Sequence, residues 1–337
     1  MQNESPVIVI TGASAGVGRA TVRAFAARGA RIGLIARNAE ALEAARKEVE
    51  ARGGEAVVAI ADVADADAVE RAAQTIEQAF GRIDVWINNA MASVMGPIKE
   101  IPADEFRRVI EVTYLGVVHG TQAALRRMLP RDAGVIVQVG STLAYRGIPL
   151  QAPYCAAKHA VQGFHDSLRS ELLHDRSNVR VCMVNLPAVN TPQFRWLRSY
   201  MPRKAKPFGT IFEPEVAAQA IVWASEHPRR ELNVGWGTTQ AIVANAFIPG
   251  ILDRYLGRIG FDAQQGEEPE STRPDNLFAP VPGDAGAHGP FSDRARTISP
   301  QLIANTHRGA VGAAIAVVAL VGLARLLGTA LGSGRRG

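Results

Sequence analysis

The fold of this chain is decided by the stretch Val7-Ile8-Val9-Ile10-Thr11-Gly12-Ala13-Ser14-Ala15-Gly16-Val17-Gly18. Its first four residues are apolar and β-branched, which is typical of a strand buried on both faces in a parallel sheet. The residues after Gly18 have the amphipathic pattern of a helix that ends near Arg28. A strand, a glycine-rich turn and a helix N-terminus in this order predict a phosphate site, because the free N–H groups and the helix dipole attract an anion.

The second predicted strand, Arg31–Ala36, indicates which dinucleotide this site takes. A dinucleotide fold that binds NAD usually has an acidic residue near the end of this strand, where it holds the ribose hydroxyls. Arg37 follows the strand instead, and a guanidinium forms bidentate charge-assisted hydrogen bonds with phosphate. Arg37 therefore favours NADP(H), which carries a 2′-phosphate. A plain surface arginine at a strand end is the alternative.

Helices and strands continue to alternate after this point. The further predicted strands cover residues 56–60, 83–87, 134–139, 179–185 and 231–234, with helices between them, of which a long one is predicted over residues 103–129. This alternation predicts right-handed βαβ units and an α/β fold, namely a doubly wound parallel sheet of the Rossmann type. We assign residues 1–260 to a dinucleotide-binding catalytic domain. Ligands of such sheets bind at the carboxyl ends of the strands.

A tyrosine and a lysine stand four residues apart in the stretch Tyr154-Cys155-Ala156-Ala157-Lys158. On a helix this spacing places both side chains on one face. An ammonium group beside a phenol stabilises the phenolate, so we expect the pKa of Tyr154 to be lowered toward neutral pH. Tyr154 is then a candidate general acid or base. Taken alone, a tyrosine and a lysine at this spacing are more often a residue at the edge of the core and a solvated charge.

Several motifs together resemble the short-chain dehydrogenase/reductase family. They occur in the family's order over residues 6–234, and they are Thr11-Gly12-x-x-x-Gly16-x-Gly18, Asp62-Val63, Asn88-Asn89-Ala90, Ser141, Tyr154-x-x-x-Lys158 and the turn at Pro187. The resemblance implies an oxidoreductase that interconverts a carbonyl and an alcohol by hydride transfer. It also implies a small-molecule substrate, and we expect the chain to form a homo-oligomer.

The resemblance implies a role for each matched residue. Tyr154 would be the general acid or base, Lys158 would lower its pKa and hold the nicotinamide ribose, and Ser141 would stabilise the developing charge on the substrate oxygen. Asn88 would stabilise the strand ends near the cofactor. The remaining residues implied for cofactor binding are Gly12, Ser14, Gly16, Val17 and Gly18 at the pyrophosphate, Asp62 and Val63 at the adenine, and Val189 and Thr191 at the nicotinamide amide.

The chain departs from the family pattern at three positions. Met91 replaces the glycine after Asn-Asn-Ala, and Ala188 replaces the glycine after Pro187. Thr113 stands where the family has a helical asparagine that helps to hold a proton-relaying water. We count Thr113 as the fourth member of the catalytic set, with an altered or slower relay. A dinucleotide-binding scaffold or redox sensor without turnover is therefore the alternative function.

Composition excludes several classes of function. The net charge of +5 comes from scattered basic residues without interleaved aromatic clusters, which argues against nucleic-acid binding. The two cysteines, Cys155 and Cys182, are too few for a disulfide framework and favour a reducing setting. The histidines form none of the short metal-binding patterns, so we predict no metal.

Two segments outside the motifs bear on the substrate and the location. The apolar and aromatic residues of 192–212 predict a lid that either lines a lipophilic pocket or only packs internally. Residues 261–308 have the composition of a flexible linker. Residues 309–332 are apolar enough for a transmembrane helix, with a core or oligomer-forming helix as the alternative. We therefore expect a membrane-anchored protein whose catalytic domain is cytoplasmic, since NADPH is intracellular.

Overall fold

A seven-stranded parallel sheet forms the centre of the computed structural model, which describes residues 5–309. The strands, numbered in chain order, are β1 Val7–Thr11, β2 Arg31–Ala36, β3 Glu55–Ile60, β4 Val85–Asn88, β5 Val135–Ser141, β6 Arg180–Leu186 and β7 Glu231–Asn233. Their order across the sheet is β7-β6-β5-β4-β1-β2-β3. The predicted Rossmann-type sheet is confirmed.

Helices follow the strands in alternation and cover the sheet. They are α1 Gly16–Ala26, α2 Ala39–Glu50, α3 Ala66–Phe80, α4 Ala103–Ile110, α5 Gly116–Met128, α6 Ala152–His174, α7 Gln193–Trp196, α8 Pro214–Glu226, α9 Trp236–Phe247, α10 Pro249–Ala263 and α11 Pro300–Thr306. Asn38 and Asp65 cap α2 and α3, because each side chain accepts a hydrogen bond from a backbone N–H in the first turn.

The strand order reverses next to β1, which pairs with β2 on one side and β4 on the other. All five residues of β1 are buried, as its continuous apolar sequence predicts. A crevice opens at the carboxyl ends of strands where the order reverses, because the helices that follow leave in opposite directions. This crevice holds the candidate site.

One helix of the predicted set is divided in two. Residues 103–129 were predicted as a single helix, but a π-helical turn over Glu111–Leu115 separates α4 from α5. Such turns are rare and occur mostly as single insertions in α-helices, often at functional sites. This one contains Thr113.

The segment predicted to be a flexible linker is folded instead. Helix α10 extends to Ala263, and the strand Gln265–Pro269 pairs antiparallel with Arg203–Ala205. Residues 270–299 then continue along the carboxyl edge of the sheet, where they accept hydrogen bonds from side chains of the catalytic domain. The compact unit therefore ends at Ser299 rather than at residue 260.

The second compact unit begins at Pro300, and α11 is its described helix. The predicted transmembrane helix at 309–332 lies, except for its first residue, outside the described residues. Among residues 5–309, no helix has the length and apolar character needed to cross a membrane.

Candidate active site

The glycine-rich turn after β1 has the geometry that its sequence predicts. Gly12 and Gly16 adopt φ angles of +68° and +56°, which side-chain-bearing residues rarely adopt. A Cβ atom on Gly18 would collide with the carbonyl oxygen of Gly12, so only glycine allows α1 to begin this close to the strand. The Asn89 amide donates to the carbonyl oxygens of Thr11 and Gly12, at 3.0 and 3.3 Å, and thereby fixes the turn.

A single cavity of about 750 Å³ runs from this turn along the carboxyl edge of the sheet. Its volume is that of a site for a small molecule or cofactor. Most of the predicted site residues line it, and they are Gly12, Ser14, Gly16, Val17, Arg37, Asp62, Val63, Ser141, Tyr154, Lys158, Val189 and Thr191. Gly18, Asn88 and Thr113 lie outside its described lining.

Asn88 lies inside the protein rather than at the cavity wall. Its Oδ1 accepts from the Trp86 indole at 2.9 Å, and its Nδ2 donates to the Thr121 hydroxyl at 3.0 Å. Side chains alternate between the two faces of a strand, so Asn88 and Asn89 point in opposite directions. Asn88 thus supports β4 from within the core, whereas Asn89, for which the motif predicted no role, lines the cavity.

Ser141, Tyr154 and Lys158 lie together in the wall of the cavity. Ser141 ends β5, and its hydroxyl oxygen accepts from the backbone N–H of Leu143 at 3.1 Å. Tyr154 and Lys158 lie on one face of α6, with Lys158 Nζ 5.7 Å from the centre of the Tyr154 ring. Lys158 is buried and donates to the carbonyl oxygen of Val139 at 2.7 Å, which fixes its ammonium group beside the tyrosine.

The pKa of Tyr154 shifts in the direction opposite to the one predicted from its spacing with Lys158. Burial raises the pKa of the Tyr154 phenol, and a hydrogen bond with Ser141 opposes this effect. Burial also lowers the pKa of Lys158 to about 8. The expected lowering of the Tyr154 pKa is therefore not found in the chain alone, because removal from water disfavours the phenolate. Tyr154 is a phenol at neutral pH, which is the form that donates a proton.

Thr113 is fully buried in the π-helical turn, and its hydroxyl forms hydrogen bonds with the backbone of Ala92. Its hydroxyl donates to the Ala92 carbonyl oxygen at 2.8 Å and accepts from the Ala92 N–H at 2.9 Å. A threonine hydroxyl has a single proton, and Ala92 takes it. This geometry connects the turn to the segment after β4, close to Ala90 and Met91, which line the cavity.

Arg37 lies at the end of the cavity where the adenosine half of a dinucleotide would lie. Its guanidinium is 4.0 Å from the carboxylate of Asp62, which also forms an ion pair with Arg108. Burial lowers the pKa of Arg37, and the nearby Asp62 opposes this effect. Arg108 lies on α4 and was not predicted as a site residue. An isolated arginine on a helix does not indicate from sequence that it will pair with Asp62, which follows β3.

The opposite end of the cavity is mostly apolar and is built by the lid segment and by α9 and α10. Its lining here comprises Leu143, Ile148, Phe194, Phe208, Phe212, Ala241, Leu252, Tyr255 and Leu256. Leu197 and Met201 of the lid pack instead against Met95 and Leu150. The lid residues therefore divide between the two predicted interpretations, and the helical part of the lid is only α7.

Comparisons with known proteins agree with this geometry. The family model described as short chain dehydrogenase matches residues 6–200. An uncharacterized oxidoreductase of Bacillus subtilis, YxnA, is 34% identical over 274 residues, which cover 81% of this chain and 77% of the relative. Dehydrogenase/reductase SDR family member 7B of Bos taurus is 39% identical over 55% of this chain and 58% of its own length.

Two solved structures share the fold. An alcohol dehydrogenase from the archaeon Thermococcus sibiricus, complexed with 5-hydroxy-NADP, is 28% identical with a TM-score of 0.59, over 68% of this chain and 95% of that one. Levodione reductase is 26% identical with a TM-score of 0.60, over 70% of this chain and 97% of that one. The chain belongs to the short-chain dehydrogenase/reductase family of oxidoreductases.

Proposed function

We propose that the protein is an NADP(H)-dependent oxidoreductase that interconverts a carbonyl and an alcohol on a lipophilic small molecule. The observation that carries this proposal is that Ser141, Tyr154 and Lys158 line the same cavity as the glycine-rich turn. A hydride donor held at the turn and a substrate held in the apolar end would therefore meet at these three side chains.

The side chains suit proton transfer to a carbonyl oxygen. Tyr154 is protonated at neutral pH because burial raises its pKa, so it donates the proton during reduction. The Ser141 oxygen accepts from Leu143 and its hydroxyl also bonds Tyr154, so Ser141 would turn its proton to the substrate oxygen when a carbonyl is bound. Lys158, fixed by Val139, places a positive charge beside the phenol and stabilises the phenolate that remains. Alcohol oxidation uses the reverse proton transfer.

The residues at the turn fit a dinucleotide. Gly12 and Gly16 have positive φ angles and α1 begins at Gly16, so this turn would cradle the pyrophosphate. Arg37 would bind the 2′-phosphate of NADP, and Val189 and Thr191, which line the cavity, would hold the nicotinamide amide. A bound nicotinamide supplies or takes the hydride, while the protein contributes orientation and electrostatics. We place Thr113 as a positioning residue that holds the Ala92 segment beside this site.

The apolar end of the cavity supports the lipophilic substrate. Aromatic and aliphatic side chains from the lid and from α10 form its walls, and Tyr255 is both part of the wall and 53% exposed. Other large apolar side chains are exposed on α9, on α10 and at the residue between them, and they are Trp236, Val243, Phe247, Ile248 and Ile251. A lipophilic molecule would reach the cavity across this surface.

We also propose that residues 309–332 anchor the protein in a membrane, with the catalytic domain in the cytoplasm, and that it forms a homo-oligomer. The apolar sequence of the segment and the exposed apolar side chains of α9 and α10 support this location. Flotation of the intact protein with lipid vesicles and its size by light scattering in detergent test these two proposals.

Turnover tests the proposed function. Purified protein is mixed with NADPH and a panel of hydrophobic ketones and aldehydes, and in the reverse direction with NADP⁺ and alcohols. We expect a change in nicotinamide absorbance with at least one compound and formation of the corresponding alcohol or carbonyl. Binding of NADPH without turnover of any compound would favour the scaffold or sensor function.

A further inference from the structure

Residues 276–291, which we call the strap, lie across the cavity at its dinucleotide end. Asn276, Pro280, Val281, Gly283 and Ala285 of the strap line the same cavity as the glycine-rich turn. No sequence pattern predicted this position, since the strap belongs to the segment expected to be a linker. Its contacts with the catalytic domain fall into three groups along its length.

The first group fixes the start of the strap beside the adenosine end of the cavity. The Arg37 guanidinium donates to the carbonyl oxygens of Asn276, Leu277 and Phe278. Arg108 Nε also donates to the Leu277 carbonyl oxygen, at 3.0 Å. The Leu277 side chain is fully buried in a hydrophobic cluster with Ala61 and Val63, which line the cavity. Arg37 therefore both holds the strap and lines the part of the cavity that we propose for the 2′-phosphate.

The second group holds the middle of the strap over the turn. Asn38 Nδ2 donates to the carbonyl oxygens of Val281 at 2.7 Å and Gly283 at 3.0 Å. Arg19, whose side chain is buried beneath the turn, donates to both carboxylate oxygens of Asp284 at 3.2 Å. A bidentate ion pair with a buried guanidinium is geometrically restrictive, so it fixes this part of the strap.

The third group fixes the end of the strap, first at the glycine-rich turn and then beside Asn190. The backbone N–H of Gly16 donates to the Gly286 carbonyl oxygen at 3.0 Å. Asn190 accepts from the Phe291 N–H at 2.9 Å, and the Phe291 ring packs edge-on against Phe194 at 5.4 Å. The strap is thus held at both ends and in the middle, on each side of the crevice.

We propose that the strap is the roof of the dinucleotide site and that the cofactor enters and leaves only when the strap lifts. This inference rests on the proposed function, since it needs a dinucleotide in the cavity. The floor of the site is the glycine-rich turn, and the strap closes the side that open Rossmann sheets leave to solvent. Lifting the strap from the turn requires its polar contacts with Arg19, Asn38 and Gly16 to break together, which makes exchange of the cofactor slow.

The Asp284→Ala variant tests the roof directly. It removes the ion pair with Arg19, while Arg19 keeps its hydrogen bonds to Glu48, Ser14 and Ala41, so the catalytic domain stays folded. Asp293→Ala is the matched control, because Asp293 is an exposed carboxylate just beyond the strap. Protein loaded with NADPH is mixed with excess NADP⁺ in a stopped-flow instrument, and the loss of bound nicotinamide fluorescence gives the release rate.

We expect release from Asp284→Ala to be about tenfold faster than from wild type, and release from Asp293→Ala to be unchanged. Hydrogen exchange of the cofactor-free proteins is the second measurement, and we expect faster exchange of strap amides in Asp284→Ala alone. Two results for Asp284→Ala would contradict the proposal that the strap is a roof. One is unchanged hydrogen exchange of the strap amides, and the other is faster exchange of these amides with an unchanged rate of NADPH release. A wild-type protein that binds no nicotinamide dinucleotide at all would instead refute the proposed function, and the roof with it.

Discussion

At the scale of single residues, spacing predicted which side chains meet but not how they ionise. Tyr154 and Lys158 share a helix face, as four-residue spacing requires. Their pKa values depend on burial, which raises that of Tyr154 and lowers that of Lys158. Burial of a helix face is set by which other elements pack on it, and the sequence of the helix does not contain that information.

The lowered pKa of Lys158 predicts a pH dependence of stability. Near pH 7 the folded protein carries the full cost of a buried ammonium. Between the folded pKa of about 8 and the ordinary value of 10.5, the unfolded chain binds more protons than the folded one, so stability rises with pH. Over this pH range, the free energy of unfolding of wild type should rise by up to about 3 kcal/mol relative to that of Lys158→Met. Denaturant unfolding of both proteins at several pH values measures the difference, and a flat difference would contradict it.

Arg37 sets the expected choice of cofactor. In Arg37→Asp, we expect the ratio of kcat/KM for NADPH to that for NADH to fall by about 100-fold, because a carboxylate repels the 2′-phosphate. The variant also loosens the strap, but that change affects both cofactors and cancels in the ratio. Arg52→Asp, at an exposed position after α2, is the control. An unchanged ratio in Arg37→Asp would remove the role given to Arg37.

At the scale of elements, the strands were predictable and the later segments were not. Runs such as Val7–Thr11 are apolar and β-branched because both faces of the sheet are covered. The order in residues 270–299 comes from single hydrogen bonds between backbone carbonyls and side chains such as Arg37 and Asn38. Such contacts have no sequence period, so a Pro- and Gly-rich segment was taken for a linker. The π-helical turn likewise follows no period.

The π-helical turn is held by Thr113, and this predicts a structural cost. Thr113→Val leaves the buried N–H and carbonyl of Ala92 without their partner, which should destabilise the protein by about 2 kcal/mol. Thermal unfolding should then shift down by roughly 4–8 °C. Thr75→Val removes an exposed hydroxyl on α3 and serves as the control. A large loss of kcat with unchanged stability would instead favour a proton relay through Thr113.

At the scale of the whole molecule, the catalytic unit extends to Ser299, and this boundary predicts what can be removed. A chain that ends at Ser299 keeps the sheet, the cavity and the strap. We expect it to retain the thermal unfolding and turnover of the full chain but to lose flotation with lipid vesicles. Flotation equal to that of the full chain would place the membrane contact within residues 1–299.

In the proposed reaction Tyr154 gives the proton while the cofactor gives the hydride, and one pair of variants tests this division most directly. Tyr154→Phe removes the phenol from the cavity, and Tyr114→Phe removes one outside it. With NADPH and a ketone that wild type reduces, Tyr154→Phe should lose at least about 1,000-fold in kcat, which is about 4 kcal/mol of transition-state stabilisation. It should still bind NADPH, and Tyr114→Phe should turn over normally. Near-normal reduction by Tyr154→Phe would contradict the account.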